Sequence, residues 1–181
     1  MVHNTEAIGG FIVTASHNPI EWNGLKFLRS DSTFFHPQDC EKLFELADQN
    51  IDIDDSSEKG MLWEEQNAIQ KHIISCVSMS CIDLNRIQKR KFKVVIDAVN
   101  GAGSNALPPL LESLGCEVFE LYCEPNGDFV RGTEPLPEHL KNLGEEIIKY
   151  GADVGFAVDP DADRLAIVNE MGEPLGEEYT L

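Results

Sequence analysis

The stretch "KVVIDAVNGAGSNALPPLLESLG", residues 93–115, carries the clearest signal of fold. Its first letters are β-branched and apolar, as in a buried strand, and they run into a polar, glycine-rich turn. The letters "LPPLLESLG" then predict a helix that ends at Gly115. A strand, a turn and a helix in this order indicate one part of a layered α/β unit.

The same alternation continues toward the C-terminus. "CEVFELYC" (116–123) predicts a second strand, and a second helix should start after Pro137 and stop at Gly151. "DVGFAVD" (153–159) and "RLAIVNE" (164–170) predict two more strands, followed by a turn at Met171-Gly172. The expected fold class is therefore α/β, with layered αβα domains built on mixed sheets.

The N-terminal part has fewer elements. Residues 9–13 predict a buried strand, the Asn23-Gly24 turn precedes a second strand at 25–28, and the two should form a hairpin-like pair. Apolar residues at helical spacing predict an amphipathic helix over 37–49. The polar, acidic residues 50–60 predict a surface linker, and a helix from about Trp63 to Ser80 should lead into the next unit. This part alone has too few strands to close a core.

Composition narrows the class of protein. The 181 residues allow one or two domains, and 14 basic against 32 acidic side chains give a net charge of −18. Because nucleic acids and anionic membranes are bound by basic surfaces, neither is an expected partner. The five cysteines form no C-x-x-C pair and lie in apolar runs, which predicts reduced core thiols. With no apolar run of membrane-spanning length and no signal-peptide pattern, we expect a soluble, cytoplasmic protein.

Three carboxylates follow a predicted buried strand in "DPDADR", residues 159–164. Asp159, Asp161 and Asp163 can point toward one centre, and clustered like charges are costly unless a cation neutralises them. Oxygen-only ligands suit Mg²⁺ or Ca²⁺. The sequence therefore predicts a metal site, with a solvated acidic turn as the alternative.

Two other interpretations of this loop are weaker. Counted from Asp159, an EF-hand loop would have Glu170 at its twelfth position, as that loop requires. Its sixth position, however, requires glycine and is Arg164, and the predicted flanking elements are strands. A phosphatase with an aspartate nucleophile would use a D-x-D pair and would need no third aspartate.

The glycine stretch "NGAGSNA", residues 100–106, offers a competing function. Gly101, Gly103 and Ala106 match G-x-G-x-x-A, and Glu124 follows the next strand near the ribose-binding distance. A helix that started near the second glycine would, however, hold two prolines in its interior, at about 3 kcal/mol each. A tight turn with close backbone packing is the favoured interpretation.

"TASHNP", residues 14–19, places a hydroxyl, an imidazole and an amide side by side at the end of a predicted strand. Taken with the later "NG-x-K", "D-x-x-NG-x-G" and "D-x-D-x-DR", it resembles the α-D-phosphohexomutases: phosphoglucomutase, phosphomannomutase and phosphoglucosamine mutase. The resemblance covers nearly the whole chain, in the family's order. It implies four-domain enzymes that move a phosphoryl group between the 1- and 6-positions of a hexose phosphate, through a hexose 1,6-bisphosphate intermediate.

The resemblance also implies roles for single residues. Ser16 would be the phosphoryl carrier, His17 would assist beside it, and Lys26 would take part in proton transfer. Arg164 would contact the transferring group. Mg²⁺ would be held by a phosphoserine oxygen of Ser16 and by three carboxylates, those of Asp159, Asp161 and Asp163.

The resemblance further implies the extent of the chain. Residues 1–62 would be the C-terminal part of domain one, residues 63–175 a complete domain two, and residues 176–181 the start of domain three. Because the family's sugar-gripping domains follow, we expect this fragment alone to be inactive. The alternatives are a nucleotide- or phosphate-binding module without turnover, and a structural fragment that docks on the missing domains of its parent chain.

Overall fold

The computed structural model describes residues 2, 5–49, 60–176 and 179. These residues fall into two compact units. The first contains residues 1–14 and 23–68, and the second contains residues 15–22 and 69–181. The loop that carries TASHNP thus packs mainly with the second unit, although the strands on either side of it belong to the first.

The first unit contains a two-stranded sheet and one helix. Strand β1, Gly9–Val13, pairs antiparallel with β2, Leu25–Arg29, and helix α1 spans Pro37–Ala47. Pro37 takes the first helical position, where its missing N–H is not needed. The predicted strand pair and helix are confirmed.

The predicted burial of β1 is wrong. Phe11, Ile12 and Val13 remain 66%, 41% and 59% exposed, and α1 has no buried residue. The reason is that the described part of this unit offers only two strands, which cannot cover both faces of a sheet. The predicted linker lies outside the described residues except for Gly60, which is exposed.

Two helices lead into the sheet of the second unit: α2, Ala68–Val77, and α3, Leu84–Arg90. The predicted helix from Trp63 was too long at its start. Glu65 accepts a hydrogen bond from the backbone N–H of Asn67 (2.9 Å), a local bond that competes with helix formation. Helix α3 was not predicted; Asp83 caps it by accepting from the Arg86 N–H at 3.0 Å.

The second unit is a mixed sheet with helices on both faces. Its elements are β3 (Lys93–Asp97), α4 (Leu107–Ser113), β4 (Glu117–Leu121), α5 (Lys141–Tyr150), β5 (Val154–Val158) and β6 (Leu165–Val168), with short 3₁₀ turns at Ala102–Asn105 and Pro137–His139. The strand order is β4-β3-β5-β6. Strand β3 runs parallel to both neighbours, whereas β6 is antiparallel to β5. The predicted α/β class with a mixed sheet is confirmed.

Alternation along β3 divides the core between the two faces of the sheet. Val95 packs against Leu143 and Ile147 of α5, whereas Val94 and Ile96 pack on the opposite face. Because successive strand residues point to opposite faces, a continuous apolar run is needed when both faces are covered. That requirement explains the letters "VVI".

The cysteines lie closer to the surface than predicted. All five are free thiols, as predicted. Cys116 and Cys123 pack half-buried against the core, whereas Cys81 is exposed and Cys40 and Cys76 are half-buried elsewhere, so the predicted core position holds only for the first two. Burial raises the pKa of Cys123 to about 11. Among the described residues, no helix combines the length and apolar character needed to cross a bilayer.

Candidate active site

Three aspartates meet in a turn that begins where β5 ends. Asp159 follows Val158, and its carbonyl accepts a hydrogen bond from the Ala162 N–H at 3.0 Å. Ala162 has a φ of +57°, in the left-handed region, so the chain bends sharply between Asp161 and Asp163. One carboxylate oxygen from each aspartate lies within 4.8 Å of the others.

Asp159 is the buried member of this group, with 0% of its surface exposed. Its Oδ1 accepts hydrogen bonds from the backbone N–H groups of Asp163 and Arg164, each at 3.0 Å. Its Oδ2 is buried and has no hydrogen-bond donor among the described residues. Burial raises the pKa of Asp159 to about 6; the Arg164 N–H opposes this rise, and the neighbouring Asp161 and Asp163 add to it.

A buried carboxylate oxygen without a donor is costly, because it has lost water and gained no partner. Hard divalent cations take oxygen ligands from carboxylates, and here such ligands converge. The geometry therefore gives this loop the means to hold a metal ion, which is what the triplet predicted. The flanking elements are strands β5 and β6, as expected for a loop that is not an EF-hand.

The glycine stretch packs directly against the aspartate loop. A Cβ on Gly101 would lie 2.5 Å from the Pro160 carbonyl oxygen, and the Ala102 N–H donates to the same oxygen at 2.8 Å. Val99 and Asn100 precede this contact with φ values of +48° and +57°, which turn the chain toward the loop. The favoured interpretation, a tight turn with close backbone packing, agrees with this geometry, since the Pro160 backbone fills the space beside the first glycine.

The TASHNP loop closes on itself through short-range bonds. Asn18 donates to the Ala15 carbonyl from both its backbone N–H (3.1 Å) and its Nδ2 (2.9 Å). Ser16 has a φ of +55°, which places a residue other than glycine in the left-handed region. Its Oγ lies 3.4 Å from His17 Nδ1. The Thr133 hydroxyl donates to the His17 carbonyl and so ties this loop to the rest of the second unit.

The two predicted cationic residues lie in different units. Arg164 directs its guanidinium to the carboxylate of Glu134, while its backbone N–H holds Asp159. Lys26 lies on β2 of the first unit, opposite Ile12 of β1. The geometry thus brings together the three aspartates with Arg164, and Ser16 with His17.

Two family profiles match the chain. Residues 70–172 match "Phosphoglucomutase/phosphomannomutase, alpha/beta/alpha domain II", and residues 1–53 match domain I of the same description. The chain belongs to the phosphoglucomutase/phosphomannomutase family.

Curated relatives and solved structures agree. A "Probable phosphoglucosamine mutase" of Methanopyrus kandleri is 34% identical over 95% of this chain and 37% of its own length. A "Phosphoglucomutase/phosphomannomutase" of Thermococcus kodakarensis is 37% identical, over 96% of this chain and 38% of its own. A Thermus thermophilus structure described as a phosphomannomutase superposes with a TM-score of 0.77 at 23% identity, over 96% of this chain and 39% of that one, which supports the fold. The chain therefore spans little more than a third of these relatives.

The sequence did not reveal a buried ion pair beneath the aspartate loop of this mutase-family chain. Arg131 Nε donates to Asp97 Oδ2 at 2.6 Å, with side-chain exposures of 3% and 1%. Burial raises the pKa of Asp97, and the Arg131 charge opposes that rise. An aspartate that ends the apolar strand β3 signals a buried charge that needs a partner. Its partner, 34 residues away in a loop, has no such signal.

Proposed function

We propose that this chain is the part of a phosphohexomutase that carries the phosphoryl group and its metal ion. The observation that supports it most is the buried Asp159 Oδ2, which has no donor in the described part of the chain and lies among converging carboxylate oxygens. The ion proposed is Mg²⁺, with ligands from Asp159, Asp161, Asp163 and a phosphorylated Ser16. A phosphoserine carries about −1.5 to −2 charge, which adds the anionic oxygen that three aspartates alone lack.

The proposed reaction transfers a phosphoryl group between Ser16 and a sugar hydroxyl. The bond between phosphorus and Ser16 Oγ breaks, a bond between phosphorus and the sugar oxygen forms, and the hydroxyl proton passes to a base. Lys26 is the proposed group for proton transfer, and His17, 3.4 Å from Ser16 Oγ, would assist there. When bound, Mg²⁺ would neutralise charge on the transferring phosphoryl oxygens.

Arg164 would supply positive charge beside the transferring group. Because its guanidinium is paired with Glu134, contact with a phosphoryl group requires it to exchange one anion for another. Its backbone N–H, which holds Asp159, need not move in that exchange.

The proposed substrates are hexose 1-phosphates and 6-phosphates, with hexose 1,6-bisphosphate as the intermediate. The names of the relatives include glucosamine, glucose and mannose forms. We assign residues 1–62 to domain one, 63–175 to domain two and 176–181 to the start of domain three. Further domains of a parent chain would grip the sugar, so the 181 residues alone should not turn over. We propose a cytoplasmic location for the reaction.

Mass spectrometry of the intact parent enzyme tests this function. After incubation with glucose 1,6-bisphosphate, the peptide that contains Ser16 should gain one phosphate, and Ser16→Ala should remove both the phosphate and the mutase activity. The Ser16→Ala fold should be intact, because the change removes one loop hydroxyl. Retained mutase activity in that variant would exclude Ser16 as the carrier. A rise in melting temperature on addition of a nucleotide, with no rise on addition of Mg²⁺, would favour a nucleotide-binding module instead.

A further inference from the structure

The segment Arg131–Glu134 reaches three parts of the candidate site with three of its four side chains. Arg131 contacts the ends of β3 and β5, Thr133 contacts the TASHNP loop, and Glu134 contacts Arg164. No role was expected for this segment from the sequence, and all of these contacts lie within the second unit.

Arg131 bridges two strand ends with one guanidinium. While Nε donates to Asp97 at the end of β3, Nη2 donates to the Val158 carbonyl at 2.6 Å, at the end of β5. Val158 is the residue directly before Asp159. A rigid, planar fork can fix two acceptors at once, which a single-point cation cannot do with the same geometry. Arg131 therefore fixes the start of the aspartate loop through the Val158 carbonyl.

Thr133 and Glu134 extend the same connection. The Thr133 hydroxyl donates to the carbonyl of His17, the residue after the proposed phosphoryl carrier. Glu134 pairs with Arg164, whose N–H shares Asp159 Oδ1 with the N–H of Asp163. One segment of four residues thus joins the aspartate loop and the TASHNP loop.

We propose that residues 131–134 form a positioning segment that holds the aspartate loop and the TASHNP loop in fixed geometry, with Arg131 as the positioning residue for Asp159. Its relevance to catalysis rests on the proposed function. Groups that orient metal ligands without touching the metal typically change metal affinity about 10- to 100-fold when they are removed.

A purely structural role for Arg131 would be to neutralise Asp97. These two roles separate in the double variant Asp97→Asn/Arg131→Met, which leaves no unpaired buried charge. If Arg131 only neutralises Asp97, the double variant should match the wild type in the order of the aspartate loop and in Mg²⁺ affinity. If Arg131 positions the loop, the lost bond to the Val158 carbonyl leaves the loop loose although the fold is sound.

The test uses the full chain without metal, followed by titration with Mg²⁺. Amide hydrogen exchange at Asp163 and Arg164 reports the order of the aspartate loop, because both N–H groups donate to Asp159. In the double variant we expect exchange at these two amides to accelerate about tenfold or more, and Mg²⁺ affinity by calorimetry to fall about tenfold or more. The amides of β3 should stay protected and serve as the control for folding.

Arg131→Lys keeps a positive charge beside Asp97 and covers the case in which the double variant does not fold. It should show the same two changes to a smaller extent. Wild-type exchange at Asp163 and Arg164 in either folded variant would overturn the proposal.

Thr133→Val tests the second connection with nearly the same side-chain volume. Exchange at the Asn18 and Trp22 amides, which donate to carbonyls within the TASHNP loop, should accelerate, while Asp163 and Arg164 stay protected. Unchanged exchange at Asn18 and Trp22 would remove Thr133 from the segment's role.

Asp161→Asn separates this proposal from the proposed function. Equal Mg²⁺ affinity in wild type and Asp161→Asn would contradict the metal assignment alone. The exchange measurements need no metal, so they decide the positioning role independently.

Discussion

Two strands with similar apolar sequences differ in burial: one is in the core and the other is exposed. "GFIV" in β1 and "KVVI" in β3 are both apolar runs, yet the valines and isoleucine of β3 are at most 2% exposed, whereas Phe11, Ile12 and Val13 of β1 are between 41% and 66% exposed. Strand β3 has a neighbour on each side and a helix on each face, while β1 has one described neighbour. The burial of a strand therefore depends on the strands and helices that pack beside it, and an apolar sequence alone does not establish it.

The sharpest test of this contrast compares two isoleucines. Ile96→Ala, at 1% exposure on β3, should lower the free energy of unfolding by about 2–5 kcal/mol, because it leaves a cavity in the core. Ile12→Ala, at 41% exposure on β1, should cost below about 1 kcal/mol. Urea denaturation followed by circular dichroism, with amide exchange in each strand, measures both. An equal loss of unfolding free energy in the two variants would mean that the side chain of Ile12 is buried in solution.

Two glycines extend the comparison to loops. Gly101→Ala should cost about 1–3 kcal/mol, since the added carbon would lie 2.5 Å from the Pro160 oxygen, and Mg²⁺ affinity should fall as the aspartate loop shifts. Gly60 of the first unit has no described residue's atom within 4 Å of an added Cβ, so Gly60→Ala should be nearly neutral. Thermal denaturation and calorimetry on the pair provide the measurement. Native affinity in Gly101→Ala would show that the two loops move independently.

Two aspartates in different units should respond to pH with opposite signs. The raised pKa of Asp159, about 6, means that the folded state holds a proton that the unfolded state has lost between about pH 4 and 6, so stability should fall as pH rises through that window. Hydrogen bonds from the Thr33 side chain and backbone lower the pKa of Asp31, so its contribution is present above its ordinary pKa and is lost as pH falls below it.

Unfolding measured from pH 3 to 7 on Asp159→Asn and Asp31→Asn resolves the two effects. The downward slope between pH 4 and 6 should become shallower in Asp159→Asn and persist in Asp31→Asn; the buried Asp97, whose pKa is also raised, contributes a slope of the same sign. Saturating Mg²⁺ should reverse that slope in the wild type, because the metal competes with the proton for Asp159. An equally steep slope in Asp159→Asn would assign the whole effect to other groups.

The smallest expected effect concerns backbone strain. Ala162 and Ser32 have φ values of +57° and +68°, in the second and first unit respectively. Replacing either with glycine should relieve strain of about 1 kcal/mol or less, partly offset by the entropy of the unfolded chain. Ala162→Gly should therefore slow amide exchange at Asp163, while Ser32→Gly should leave it unchanged. Faster exchange in Ala162→Gly would show that the alanine methyl group stabilises the turn.

Patterns that depend on near neighbours in the chain could be predicted from the sequence. The strand letters of residues 93–97, the stop at Gly151 and the aspartate spacing at 159–163 are local signals, and the structure has a strand, a helix end and a converging carboxylate group there. Asp83, whose side chain caps the unpredicted helix α3, was also a readable signal.

What could not be predicted depends on distant parts of the chain. The Arg131–Asp97 pair spans 34 residues and the Thr133–His17 bond spans 116, and no periodicity joins such partners. The exposure of β1 likewise depends on which elements lie beside it. For the same reason, the roles of Ser16, His17, Lys26 and Arg164 stay predictions: their neighbours in a reacting enzyme include a substrate and a metal ion that residue types alone do not position.

The contact between Gly101 and Pro160 has a consequence for how this chain can change over generations. Two turns that touch through their main chains have no side chains between them to absorb an insertion or a deletion. A lengthened turn after β3 would push on the turn after β5, and the reverse also holds. Across related chains these two turns should therefore keep their lengths together, and the loop after β4 should follow them, because the Gly127 N–H donates to the Asn100 carbonyl at 3.0 Å.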